Sequence, residues 1–303
     1  MPVIYCRHFL YVKGADRSGI ITWKYFIISP SDCVNCPFTY ERTHLIFVLK
    51  KIMELILKIM GGAVGLLVPY LFVSVLNKGL ENSSFDKVIS SALKKKLGLI
   101  VWLWVGLVWL LSITNVLSYH EGDIFPRFVI PLFVPVIIGL FLIRNNYFKL
   151  IVNNIPLHTL VGIQTFRLAG FAFLLFVNIN LLPKPFVAAG YGDIITGSLA
   201  ILAGITLKRA ARSSKVLFWA FMVAGIFDLL NVAFMMFTYY PIWNTAQPSS
   251  SAATEFSLVM VPAIAAPIAL LLHLYSLRNF FLERDFSNKA ANTYIFAADD
   301  KTI

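Results

Sequence analysis

Amide and charged side chains interrupt apolar stretches of this sequence that are long enough to cross a lipid bilayer. The stretch His158–Asn180 contains Gln164 and Arg167, which are three residues apart and therefore share one face of a helix. An arginine in the middle of a bilayer costs a few kcal/mol unless a partner inside a helix bundle meets its charge. This pair therefore predicts a polar interior rather than a lipid-facing surface.

Carboxylate partners for the arginine are predicted on two later stretches. Asp193 lies near the start of the stretch after the turn Leu182–Pro185, and Asp228 lies near the middle of Val216–Tyr239. At 1.5 Å per residue, Arg167 and Asp228 have the same depth, and Asp193 lies about one turn nearer the surface. One arginine with two aspartates leaves an unbalanced negative charge or a bound proton. The predicted polar centre comprises Gln164, Arg167, Asp193, Thr196, Asp228 and Asn231.

Small residues recur along one side of the stretch that carries Asp193. Such a stripe lets two helix backbones approach closely, and it is typical of helix packing in membranes. The predicted packing residues are Gly190, Gly192, Gly197, Ala200 and Gly204.

The composition indicates a membrane protein. Hydrophobic residues make up 58% of the chain and charged residues 14%, with a mean hydropathy of +0.77, whereas soluble domains carry about 25% charged residues. Because helices satisfy their own backbone hydrogen bonds in lipid, we predict an all-α bundle of about seven transmembrane helices. The net charge of +11 lies mainly in short connections, so it favours a role in topology and lipid contact rather than nucleic-acid binding.

The positions of the basic residues predict the orientation of the bundle. We take Phe128–Ile143 as the third span and Asn145–Pro156 as a loop. Fifteen lysines and arginines then lie in or beside the connections on one side of the bundle, and two lie on the other side. Basic residues are enriched in cytoplasmic loops. The C-terminus is therefore expected in the cytoplasm and the start of the first span outside.

Residues 1–52 differ from the rest of the chain, since they contain no apolar run of spanning length. Their seven basic residues lie on the wrong side of the predicted bundle, so we expect translation to start at Met53. The domains are then a seven-span region at 53–282 and a cytoplasmic tail at 283–303. Cys33 and Cys36 have zinc-knuckle spacing, but a structural zinc needs four ligands, and an incidental pair is the favoured interpretation. No metal or cofactor is predicted.

One pattern resembles a known group of proteins. It reads Pro156-x-x-x-Leu-Val-Gly-Ile-Gln-x-Phe-Arg167, followed by Leu-Leu-Pro183-x-x-Phe-x-x-x-Gly-x-Gly-Asp193-x-x-Thr-Gly197. These forty or so residues are similar to a pattern in uncharacterised bacterial multi-spanning membrane proteins. The resemblance implies residence in the bacterial inner membrane and no mechanism.

Three classes of function fit the sequence. In a transporter or channel-like protein, the extra carboxylate would handle a proton, a cation or a small solute while Arg167 gates or holds an anionic group. In a sensor or accessory subunit, the small-residue stripe would bind a membrane partner or a second copy of the chain. An intramembrane enzyme using His158, His273 or the aspartates is the class with least support, because no catalytic residue set is visible. A purely structural ion pair is the alternative to all three.

Overall fold

The computed structural model describes the backbone of residues 9–15, 21–27, 37–245 and 247–299, and the chain divides into two compact units, Met1–Met53 and Glu54–Ile303. In the first unit, strands β1 (Phe9–Ala15) and β2 (Ile21–Ile27) form an antiparallel hairpin in which Phe9 pairs with Ile27. This hairpin lies in the extension that the prediction left outside the bundle. Cys6, Cys33 and Cys36 lie outside the described residues.

The second unit is helical. Its helices, with α1 beginning in the first unit, are α1 (Pro37–Glu81), α2 (Lys87–Ile113), α3 (Val129–Leu142), α4 (Asn146–Asn153), α5 (Leu157–Gly162), α6 (Phe171–Asn178), α7 (Val187–Lys208), α8 (Ser214–Thr238) and α9 (Ala266–Asp299). Short 3₁₀ segments occupy Ile163–Gly170, Lys184–Phe186 and Ser250–Thr254, and a π-helical turn covers Val261–Ala265. Among the described residues, six segments are long and apolar enough to cross a membrane, or seven if α3 and α4 together count as one further segment. The predicted all-α bundle is thus confirmed as a helical body, compatible with a membrane protein.

The predicted loop Asn145–Pro156 is wrong, because it contains helix α4. The Asn145 side chain caps this helix by accepting the backbone N–H of Tyr147 at 3.0 Å. The apolar residues Phe148, Ile151 and Val152 then form one buried face. The sequence prediction ended the third span at Ile143 and assigned the polar residues after it to a loop. It therefore missed the short amphipathic pattern that forms α4. The axis of α4 makes an angle of 97° with that of α3.

Helix α3 connects the two ends of the bundle, although it has only 14 residues. Next to its first residue, the ring of Phe128 lies 5.7 Å from that of Tyr240, just beyond the end of α8. After its last residue, α4 packs at the other end, where the Asn279 amide of α9 donates to the carbonyl of Val152 at 2.8 Å. Counted with the six long segments among the described residues, the bent pair α3–α4 gives up to seven passages. We call the end with connections 82–86, 143–156 and 209–213 the basic end, and the other the opposite end.

The fourth passage is broken into α5, the 3₁₀ segment Ile163–Gly170 and α6. It packs closely on the small-residue face of α7. A Cβ added to Gly197 would lie 2.8 Å from the backbone nitrogen of Leu168, and one added to Gly204 would lie 3.1 Å from the Cα of Gly162. Ala200 is fully buried in the same interface. Most of the stripe is therefore covered by the chain's own fourth passage.

Candidate functional site

Arg167 occupies the centre of the bundle on the 3₁₀ segment of the fourth passage. Its Nε donates to Asp193 Oδ1 at 2.8 Å, and its Nη2 donates to Asp228 Oδ2. Its Nη1 donates to the carbonyl of Gly225 at 3.3 Å and lies 3.2 Å from Nε2 of His273. Each nitrogen of the guanidinium group thus has a partner. This leaves the arginine little capacity to bind an anionic ligand directly, which was one role that the sequence suggested.

The two aspartates differ in their surroundings. The Asp228 side chain is 3% exposed, whereas that of Asp193 is 17% exposed. Nε2 of His273 faces the guanidinium group of Arg167, which can only donate, so this nitrogen is the acceptor of the contact. The His273 ring stacks on the ring of Phe221, with the ring centres 4.7 Å apart. The centre therefore combines one positive charge with two carboxylates, and it has one surplus negative charge unless a carboxyl group binds a proton.

Several buried polar atoms around the centre have no hydrogen-bond partner among the described residues. They are both amide atoms of Gln164, Thr196 Oγ1, Asp228 Oδ1 and His273 Nδ1. Buried polar atoms are nearly always hydrogen-bonded, so unused hydrogen-bonding capacity is concentrated around Arg167. Asn231 lies one turn from Asp228 and is half-buried, but the structure gives it no hydrogen bond to a described residue.

Three glycines allow the side chains to converge on Arg167. A Cβ added to Gly170 would overlap the side chain of Asp193, one on Gly192 would overlap the Asp228 carboxylate, and one on Gly225 would overlap the His273 ring. The sequence predicted Gly192 as a helix-packing residue. In the structure its missing side chain makes room for the Asp228 carboxylate, whereas Gly190 contacts Leu174 in α6.

Cavities lie on both sides of the centre. One, of about 90 Å³, is lined by Arg167, Asp193 and Asp228 together with Met60 and Gly61 of α1. It occupies the half of the bundle nearer the opposite end. A second cavity, of about 360 Å³, lies at the basic end and is lined by Lys78, His158, Thr159 and neighbouring residues. Gln164 lies in the fourth passage between this second cavity and Arg167.

His273 is the residue of the centre that sequence reasoning missed. The sequence placed it toward the far end of the last span and considered it only as an enzyme candidate. Counting residues from the basic end would have found it. His273 lies nine residues from Leu282, and Arg167 lies ten residues from Leu157, so the two have nearly the same depth. Histidine does not stand out in an apolar stretch as arginine does, since it is neutral in the absence of an acidic partner.

A comparison with protein families identifies the region that holds this centre. The family model described as Domain of unknown function (DUF8737) matches residues 128–281, which are just over half of the 303 residues. The chain belongs to the DUF8737 family. The DUF8737 region begins just before α3 and ends in α9, so it contains Arg167, Asp193, Asp228 and His273. No curated protein and no solved structure matches the chain.

Proposed function

We propose that this protein is a proton-linked membrane transporter in which Asp193 and Asp228 share a transported proton. The observation that carries the proposal is the binding of one arginine by two carboxylates inside an apolar bundle. A surplus charge in a low-dielectric interior is costly, so the pair favours binding a proton or a small cation. Arg167 holds the two carboxylates together and prevents both from being neutral at once.

The cavities support a pathway through the centre. Asp193, the more exposed carboxylate, lines the cavity on the side of the opposite end. The lining of the cavity at the basic end includes Ile163, the residue before Gln164, whose amide atoms are buried and have no partner in the described structure. In this proposal a proton reaches Asp193 from the opposite end, passes to Asp228 and leaves toward the basic end. The 3₁₀ geometry of residues 163–170 is a natural place for a change of conformation, because mid-helix 3₁₀ segments often mark hinges.

We further propose that the protein resides in a bacterial inner membrane, with the basic end in the cytoplasm. The basic end carries Lys94, Lys95 and Lys96 and the cluster Lys208 to Arg212, whereas Arg127 and Lys184 lie toward the opposite end. This asymmetry is the pattern of cytoplasmic connections in membrane proteins. The cavity that Asp193 lines then lies in the outer half of the bundle.

The test is proton movement in vesicles that contain the purified protein. Vesicles with a pH-sensitive dye inside would be given, in turn, a membrane potential, a Na⁺ gradient and a K⁺ gradient. We expect the wild type to move protons under at least one of these conditions, and Asp193→Asn to abolish the movement. Glu121→Gln, in an exposed connection away from the centre, is the matched control and should behave as the wild type. Equal proton movement in wild type and Asp193→Asn would contradict the proposal.

A further inference from the structure

A third cavity, apart from the charge centre, lies between α1, α2, α3, α4 and α9. It has a volume of about 310 Å³ and is almost entirely apolar, with residues such as Val101, Trp104 and Ile268 in its wall. Its volume lies at the lower end of the range of roughly 300–1,000 Å³ that is usual for small-molecule sites. Among the described residues, helix α2 is the least buried of the long apolar helices.

The polar groups of this cavity are concentrated at one end. Lys96, Asn145 and Tyr147 line it at the basic end, next to the bend between α3 and α4. From there the cavity follows α2 from Leu93 to Val105, a distance of about 18 Å at 1.5 Å per residue. Half of a hydrocarbon core is about 15 Å thick. The cavity therefore has the depth of one leaflet, with its polar groups at headgroup level.

Charge at the polar end favours an anionic occupant. The stretch 77–96 contains five lysines and two acidic residues. Lys94 lies 3.6 Å from Glu81, but Lys96 has no ion-pair or hydrogen-bond partner among the residues that the structure describes. The aromatic ring of Tyr147, 5.9 Å from that of Phe85, lies at the same level, as aromatic residues do at membrane interfaces.

We infer that this cavity binds one acyl chain of an anionic phospholipid, with the lipid phosphate at Lys96, Asn145 and Tyr147. The apolar wall accepts the chain, and Lys96 supplies the charge that distinguishes an anionic headgroup from a zwitterionic one. Helix α4 lies across the basic end of the bundle. It provides Tyr147 and forms the end wall of the cavity. This inference does not depend on the proposed transport, because the cavity shares no residue with the charge centre.

The experiment measures lipid that remains bound to the full chain in neutral detergent, by native mass spectrometry with phosphatidylglycerol or phosphatidylcholine added. We expect the wild type to retain phosphatidylglycerol preferentially, and Lys96→Gln to weaken this retention about fivefold, since one basic residue near an anionic lipid surface contributes about 1 kcal/mol. The control is Lys95→Gln, which removes the adjacent exposed lysine that does not line the cavity. Its retention should equal that of the wild type.

A second variant, Val101→Phe, fills the cavity and tests the acyl-chain part of the inference. It should reduce the retention of both lipids, while the circular dichroism spectrum stays that of a folded helical protein. Equal losses for Lys95→Gln and Lys96→Gln would mean that only general surface charge attracts the lipid, and would overturn the inference. So would equal retention of the two lipids by the wild type, or unchanged retention by folded Val101→Phe.

Discussion

Arg167 has a side chain that is 2% exposed, and two carboxylates and a histidine surround it. Burying a charge is strongly unfavourable unless hydrogen-bonded partners of opposite charge accompany it. Arg167, Asp193 and Asp228 could be selected from sequence because charged residues are rare in apolar stretches. How these three side chains contact one another could not be predicted with the same precision. It depends on the rotation of three helices and on the glycines that leave space for the side chains.

The first prediction separates the contribution of the ion pair from that of either charge alone. Arg167→Leu should lower the stability by about 3–5 kcal/mol, because it leaves two buried carboxylates without their cation. Asp228→Leu should lower it by less, because Arg167 still pairs with Asp193. The double variant should lose clearly less than the sum of the two, since it removes both charges and leaves the more exposed Asp193. Thermal unfolding in detergent measures this, with Arg144→Leu, an exposed arginine, as control. Additive losses would show that the two side chains do not interact.

At the scale of elements, the bundle depends on close contacts that small residues permit. The stripe on α7 was visible in the sequence as a spacing of glycine and alanine. The sequence left open whether the stripe packs on a helix of the same chain or on a partner, because the same spacing serves contacts inside a molecule and between molecules. The 3₁₀ segment at 163–170 and the bend before α4 also escaped prediction, since local sequence signals for a broken apolar helix are weak and tertiary packing decides them.

The second prediction concerns Gly192, whose added Cβ would overlap the Asp228 carboxylate. Gly192→Ala should destabilise the protein by about 1–3 kcal/mol, the usual range for overpacking a buried contact. The matched control is Gly106→Ala in α2, where an added Cβ meets no atom within 4 Å. That variant should keep or raise the melting temperature, because alanine has the higher helix propensity. A loss for Gly106→Ala equal to that for Gly192→Ala would contradict the assignment.

The third prediction concerns the connection between α2 and α3. Asp123 accepts the backbone N–H of His120 at 2.9 Å, and Arg127 Nη2 donates to it at 2.5 Å. The hydrogen bond from His120, and then that from Arg127 with its positive charge, lowers the pKa of Asp123 below its ordinary value. A lowered folded-state pKa means that the carboxylate stabilises the connection above the unfolded pKa of about 3.9, and that this contribution is lost as the pH falls through the folded pKa.

Hydrogen exchange in this connection provides the measurement. Asp123→Asn should speed the exchange of the His120 amide at pH 6 relative to the wild type. The difference should disappear at acidic pH, where the wild-type carboxyl group is protonated. A difference that persists unchanged to pH 2 would show that the charge of Asp123 does not hold the connection.

At the scale of the whole molecule, composition and the count of apolar stretches were sufficient to predict a helical body of about seven passages. The hairpin β1–β2 was not predicted, because its segments are short and polar residues interrupt them. The depth of each stretch in the bundle could be counted, and that count places Arg167, Asp228 and His273 at one level. The cavities depend on how seven helices fit together, and no pattern within a single helix indicates them.

The fourth prediction is the orientation of the bundle. A reporter fused after Lys208 should be in the cytoplasm, and one inserted between Pro241 and Glu255 should be outside, because the basic residues concentrate at one end. Fusions of reporters that are active on only one side of the membrane would measure this. The reverse labelling would contradict the orientation, and labelling of both positions on the same side would contradict the passage of α8 through the membrane.

The most direct test of the central claim is infrared spectroscopy of the carboxyl groups during a pH titration of the detergent-purified protein. A protonated carboxylic acid in an apolar site has a carbonyl stretching band that an ionised carboxylate lacks. The wild type and Glu121→Gln should show one such band that disappears as the pH rises, and the band should be absent or shifted in Asp193→Asn and in Asp228→Asn. If no such band came from Asp193 or Asp228 at any pH at which the protein is folded, the shared proton would be contradicted.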